Sequence, residues 1–363
     1  MVQRIFIGGA AHEAKWLLDT RAGQDLLSRH YGQEALPQCL CSDRGIEMSI
    51  RRTNNFFFLA RLAGTGNLHE HDCPSYGQEN YFSGLSCYPS GVVQETPEGR
   101  TLLQIPPSFA TLGAMNAMSL RGLLHLLIAE AAINQWLPDE ERTWARISHR
   151  LRSAAMFIDT PDGQPLSERL CVPDAYTRDA PSQNHETLKA LLCHNLPGPL
   201  LIAPIKGCES GPKATRLMLK HLPGIRFWLP AAHAAQLTPP ATPLFGLAIL
   251  ELQSGSQSAN LNVRHMAVLW TDRCYTPCPD EAIARVAEQL RKTQQAFLTP
   301  LRFDANESHL LADFALLRDH GAEPAFVVGS DYPDSRAKKA LATVLRRYFP
   351  VSIFDVDATA LST

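Results

Sequence analysis

Long apolar runs, a charge excess of either sign and internal repeats are all missing from this sequence. No stretch of about 18 uninterrupted apolar residues occurs, so a membrane-spanning helix is not expected. The nearest approach, Leu120 to Ile133, is broken by Arg121, His125 and Glu130. Lys plus Arg total 34 against 36 Asp plus Glu, a formal charge of −2. A chain so balanced is not built to coat nucleic acid over its whole surface, although a local basic face stays open. The opening Met1 to Ile7 lacks a secretory h-region and cleavage pattern, which points to the cytoplasm and to no membrane partner. Without repeats a solenoid is not expected.

Cysteine is present, but not as a disulfide framework. Nine residues, an odd number spread unevenly over 363, read as reduced thiols with a metal site among them. Proline, at 26, is frequent and implies many turns.

The patterning predicts an α+β protein in four parts: an N-terminal strand, helix and zinc-hairpin module (1–95), a helical region with Pro-rich loops (96–198), a β-rich region (199–273) and a mixed α/β unit (274–363). In the first part Met1 to Ile7 favours a strand ended by Gly8-Gly9, followed by a helical period that stops at Gly32. Ile46 to Ile50 alternates, Phe56 to Ala60 is apolar, and Arg51 to Asn55 supplies a turn between them, which predicts a β-hairpin. Ser119 caps a predicted helix over 120–136, and Pro138-Asp139 opens another to about Phe157. A short helix near 186–193 precedes strands predicted over 200–205, 216–222, 244–252 and 263–270.

The strongest chemical signal is Cys39-Leu40-Cys41, the hairpin, then His69-Glu70-His71-Asp72-Cys73. A structural zinc takes four tetrahedral N or S ligands, commonly as two close pairs on facing loops. The intervening hairpin returns the chain, so Cys39, Cys41, His69 and Cys73 form a Cys3His set, with His71 an alternative to His69. Glu70 and Asp72 read as solvated loop carboxylates, and Cys274 with Cys278 as ordinary thiols.

At these residues the chain resembles the family of domain of unknown function 1173. Cys39-Leu40-Cys41, Leu59 to Gly66, and His69 followed by Cys73-Pro74-Ser75-Tyr76 carry the likeness; Ser83-Gly84-Leu85, Leu120 to His125 and Trp136 follow in the same order. The resemblance favours His69 over His71. It implies a bacterial setting, often a plasmid or integrating mobile element, and no particular activity.

The last part reads helix, three strands, helix, strand. Pro279 to Phe297 carries Ile283, Ala287 and Leu290 on one stripe; strands are predicted at 301–303, 312–317, 325–328 and 351–354; Asp334 to Phe349 is a helix with Leu341, Val344, Leu345 and Tyr348 inward. This order is similar to the core of restriction-endonuclease-like folds. Such nucleases hold a divalent cation with a carboxylate at the start of one strand and an acidic-x-Lys triplet on the next. Asp313 fits the first element, whereas Ala325 to Gly329 has Phe and Val where the triplet belongs. Glu307, Glu323 or Asp331 would have to substitute, with Lys338 or Lys339 arriving from the helix; the plainer role for Asp313 is a strand-edge carboxylate bonded to an amide. Arg336, Lys339, Arg346 and Arg347 lie on or near one side of that helix and form a candidate nucleic-acid face.

Together these features predict a non-catalytic, zinc-stabilised protein of a bacterial mobile element, acting on nucleic acid or in a protein complex of the same element that handles it. The alternatives are a divalent-metal-dependent nuclease rearranged around Asp313, and an interaction module that docks proteins through the hairpin and the 120–136 helix.

Overall fold

The computed structural model describes residues 3–33, 35–53, 56–62, 65–70, 73, 75–76, 83–89, 91–96, 100–106, 108–109, 117–177, 179–193, 198–211, 214–239, 244–253, 259–306, 310–318, 321–348 and 350–357. Among them the chain forms seven α-helices and four sheets, a mixed α+β architecture. No described helix is long and apolar enough to cross a membrane.

The first sheet has five strands in the order Ala10–Glu13, Arg4–Ile7, Gln38–Cys39, Ile46–Thr53, Phe56–Arg61. Gly8 and Gly9 turn the first hairpin at φ 62° and 83°, a backbone that glycine adopts without steric cost. The predicted hairpin is present, with Thr53 opposite Phe56, so only residues 54 and 55, outside the described ones, lie between its strands. The helical period after Gly9 resolves into the strand Ala10–Glu13 and two helices, Ala14–Asp19 and Arg21–His30. The break is at Thr20, extended at φ −109° and ψ 149°, whose side chain accepts from the Gly23 amide to cap the second helix. Ile5, Ile7, Leu17, Leu27 and Met48 are buried beneath this sheet.

Two predicted helices are shorter than expected. Ser119 does cap one, accepting from Gly122 N at 3.1 Å, but Leu120–Glu130 ends where Ala132 turns to φ 51°. The next begins at Trp144, because Asp139 takes φ 62° and Glu140 and Arg142 are held in a loop by their own ion pair. Ala180–Cys193 starts earlier than its periodicity indicated.

Residues 200–271 close a barrel. Its strands are Leu200–Ser210, Ala214–Leu219, Arg226–Pro230, Phe245–Leu252 and Asn260–Thr271. Numbered in that order, they neighbour one another as first, second, third, fifth, fourth, with the fourth pairing back onto the first. The third and fifth run parallel and every other pairing in the ring is antiparallel. The first strand closes the ring by serving both halves: residues 200–204 pair with the fourth strand, and, past an irregularity at Ile205/Gly207, residues 205–210 pair with the second. The interior holds Leu201, Leu217, Phe227, Leu229, Leu250 and Leu261. The outer side at Leu200, Ile202, Leu247 and Ile249 packs on the 120–130 and 144–155 helices, so the helical and β-rich stretches share one core.

The C-terminal stretch has the expected order: helix Glu281–Lys292, strands Phe297–Leu298, Phe314–Arg318 and Gly321–Val328, helix Ser335–Leu345, strand Ser352–Asp355. The first strand lies at 297–298 instead of 301–303, where Phe303 is buried at φ 50°. Ile283, Ala287 and Leu290 are buried as their spacing implies. On the last helix Leu341 and Leu345 pack against the core as predicted, but Val344 and Tyr348 are exposed, while Lys338 and Ala342 are buried. Lys338 turns inward because a carboxylate waits there, described below.

Candidate metal centre

Each of the four sequence-predicted ligands is placed by its own piece of backbone. Cys39 lies on the central strand of the first sheet, opposite Ile5 on one side and Ile46 on the other. The chain then turns through residues 40–45, where Leu40 N bonds to Arg4 O and Gly45 at φ 65° closes the turn, carrying Cys41 to the sheet's end. After the hairpin a single 3-10 turn, Gly66–Leu68, delivers His69. A turn from Glu70 O to Cys73 N, 2.9 Å, then brings in Cys73.

The four donor atoms lie within 4.8 Å of one another. Cys39 Sγ to Cys73 Sγ is 3.6 Å, Cys41 Sγ to His69 Nδ1 is 3.4 Å and Cys73 Sγ to His69 Nδ1 is 3.7 Å. A tetrahedral cation bonded to sulfur at about 2.3 Å and to nitrogen at about 2.0 Å requires edges of roughly 3.8 Å between sulfurs and 3.5 Å between sulfur and nitrogen. The donor set therefore fits a four-coordinate metal ion. Cys39, His69 and Cys73 are buried, so bulk water does not complete the shell. His71 and Asp72 lie outside the described residues.

The surroundings suit thiolates. The backbone N–H of Cys41 faces the Cys39 sulfur, that of Glu70 faces Cys41, and Ser75 N lies 3.5 Å from Cys73 Sγ. Gln3 Nε2 donates toward Cys39 Sγ at 3.5 Å and Cys73 Sγ at 3.7 Å while bonding Ser75 Oγ at 2.9 Å. The hydrogen bond from Cys73 holds the Cys39 thiol far below its ordinary range, and the same contact pushes Cys73 up. Burial raises Cys41. A divalent cation would take all three sulfurs as thiolates. His69 Nε2, pointing away, is buried with no hydrogen-bond partner among the described residues. The sequence signalled the four ligands but not Gln3, which reaches the site only through strand pairing.

The remaining candidates are dispersed. Asp313 lies just before the Phe314–Arg318 strand; its Oδ2 accepts from Val327 N at 2.7 Å and both oxygens accept from Lys338 Nζ at 2.8 Å. Burial raises the Asp313 carboxyl above its ordinary range despite the opposing pull of Lys338. Lys338 Nζ also sits 4.7 Å from the Tyr332 ring centre, and Tyr332 OH bonds Asp280 Oδ2 at 2.7 Å. Glu323 is turned toward Arg318 and Ser352, Asp331 is exposed, and Glu307 lies outside the described residues. Arg336, Lys339, Arg346 and Arg347 are all exposed on the last helix and its C-terminal turn. Cys274 and Cys278 are free thiols, and burial raises Cys278.

A family model described as Protein of unknown function (DUF1173) matches residues 13–348. The chain belongs to this family. The matched span of the DUF1173 chain takes in all four donors of the metal centre. No curated protein and no solved structure matches the sequence.

Proposed function

We propose that this DUF1173 protein is a zinc-stabilised, non-catalytic nucleic-acid-binding protein of a bacterial mobile element, acting directly or within a complex of that element's proteins. The observation that carries the metal part is the closure of Cys39, Cys41, His69 and Cys73 to tetrahedral edges. Three sulfurs and one imidazole select a soft or borderline cation, and zinc suits a closed four-coordinate shell with no open position. In that role zinc supplies no chemistry; it ties the 39–41 turn to the 69–73 turn and so fixes the five-stranded sheet. Support for the nucleic-acid part is the exposed cluster Arg336, Lys339, Arg346 and Arg347, able to meet successive phosphates. The mobile-element setting follows from the family resemblance.

Filter binding of single- and double-stranded DNA and RNA at two salt concentrations tests the reading. Salt-sensitive retention is expected; no retention of any of them at low salt would remove the nucleic-acid part.

A nuclease built around Asp313 is the second reading. In its favour are the αβββαβ order and the arrival of Lys338 beside the carboxylate. Against it, both Asp313 oxygens already accept from Lys338, so a cation would have to displace an ammonium. A nicking assay with magnesium or manganese separates the two readings: cleavage abolished by Asp313→Ala would install the nuclease.

A further inference from the structure

Charge is unevenly shared along this nearly neutral chain. Residues 199–271, the barrel, contain Lys206, Lys213, Arg216, Lys220, Arg226 and Arg264 but only Glu209 and Glu251 as acids. Glu251 is fully buried, so Glu209 is the barrel's outward carboxylate.

The second and third strands expose an organised face. Leu217, Leu219, Phe227 and Leu229 fill the interior, which turns Arg216 and Trp228 outward, directly opposite each other. The register extends this row to Glu209 on one side and Asn262 on the other. Trp228 Nε1 donates to Asn260 Oδ1 at 3.3 Å, anchoring one edge of a half-buried indole. Arg216 Nη1 meets the exposed Glu209 at 2.9 Å, and its buried Nε has no partner among the described residues. Arg226 is exposed, on the strand that carries Trp228. Arg216, Arg226, Trp228, Glu209 and Ala214 line one open groove of 290 Å³.

We infer that this groove binds single-stranded nucleic acid, with a base stacked on Trp228 and flanking phosphates on Arg226 and Arg216. Resting on the nucleic-acid reading above, the inference names a surface and a ligand form that the last helix does not supply. An aromatic ring between cations is the pairing that single strands use, since base faces are open to stacking only when unpaired. A neutral glycan would leave the cation surplus without a role. The ring order first, second, third, fifth, fourth, with third and fifth parallel, is that of the OB barrel, which receives oligonucleotides on the face of its second and third strands. Fold analogy alone assigns nothing; the residues on this face carry the inference.

Fluorescence anisotropy of a labelled oligothymidylate, and of a duplex of equal length, titrated with the full chain at low and moderate salt provides the test. The single strand is expected to bind the more tightly. Trp228→Ala should weaken it by roughly tenfold or more, and Trp228→Phe, which keeps an aromatic face, should retain most of the affinity. Arg226→Ala should shift the logarithmic salt slope by about 0.7 toward zero. Both side chains point outward, so the melting temperature should hold in each variant, and the exposed Arg226 gives a second readout should Trp228→Ala fold poorly. Affinity unchanged in Trp228→Ala and Arg226→Ala but lost in an Arg336→Ala/Lys339→Ala pair would overturn this groove and leave the nucleic-acid reading standing. Preference for the duplex would also overturn it. No binding of either form would overturn both.

Discussion

The N-terminal donor cluster and the C-terminal Asp313 cluster both bury polar groups beside a sheet, but they resolve the cost in opposite ways. Around Asp313 every charge has an answer within the chain: Lys338 and the Val327 amide satisfy the carboxylate, and the Tyr332 ring faces the ammonium. Around Cys39 the four donors face one another, met by Gln3 and three backbone amides. A buried set that closes on itself needs nothing from outside. One made only of electron-pair donors calls for a metal. The contrast separates a structural ion pair from a donor cluster that could hold a metal ion, without reference to sequence motifs.

The largest effect that would break this contrast is metal loss. Purified protein is expected to carry about one zinc equivalent per chain, and Cys39→Ser or Cys73→Ser should abolish it and unfold the N-terminal sheet, given the ~10–16 kcal/mol that structural zinc contributes in isolated finger peptides. Elemental analysis under reducing, chelator-free conditions checks this, and a metal-free but folded wild type would refute it. Next comes Lys338→Ala, which strands a buried carboxylate and should cost about 3–5 kcal/mol in urea unfolding. An Asp313→Leu/Lys338→Met pair should recover much of that loss, whereas no apolar replacement should rescue the cysteine cluster.

A third buried polar set sharpens the comparison through pH. His125 accepts from Phe303 N at 2.9 Å, and burial lowers its pKa to about 4. Because the folded value lies below the unfolded one, of about 6.5, the unfolded chain binds more protons between them, and stability falls as pH drops through that window. From pH 7.5 to pH 5 this group should cost about 2 kcal/mol. Urea midpoints at the two pH values, compared between wild type and His125→Gln, measure it; an equal pH loss in both would rule His125 out. The smallest expected change is Ser119→Ala, about 1 kcal/mol from loss of the helix cap at Gly122.

What could be read from the sequence was what is local. The ligand pairs sit within two and four residues of each other, the hairpin alternates, and the C-terminal helices and strands announce themselves by period. Some helix and strand ends were misplaced locally, but the larger misses are long-range. Gln3 meets the cysteines only through pairing of Arg4–Ile7 with Gln38–Cys39, and barrel closure depends on residues 200–204 finding a strand that starts at Phe245. Arg226–Pro230, five residues with a proline at its end, is too short to stand out. On the last helix the apolar spacing of Val344 and Tyr348 suggested burial, but the Asp313 ion pair rotates the helix so that Lys338 faces inward.

Cys39 sits between a strand from the chain's opening residues and another that follows it, and its partner donor Cys73 lies beyond the hairpin. During synthesis, therefore, the four donors can close only after Cys73 has cleared the ribosome. Until then the five-stranded sheet lacks that closure, while the barrel further along is still to be translated.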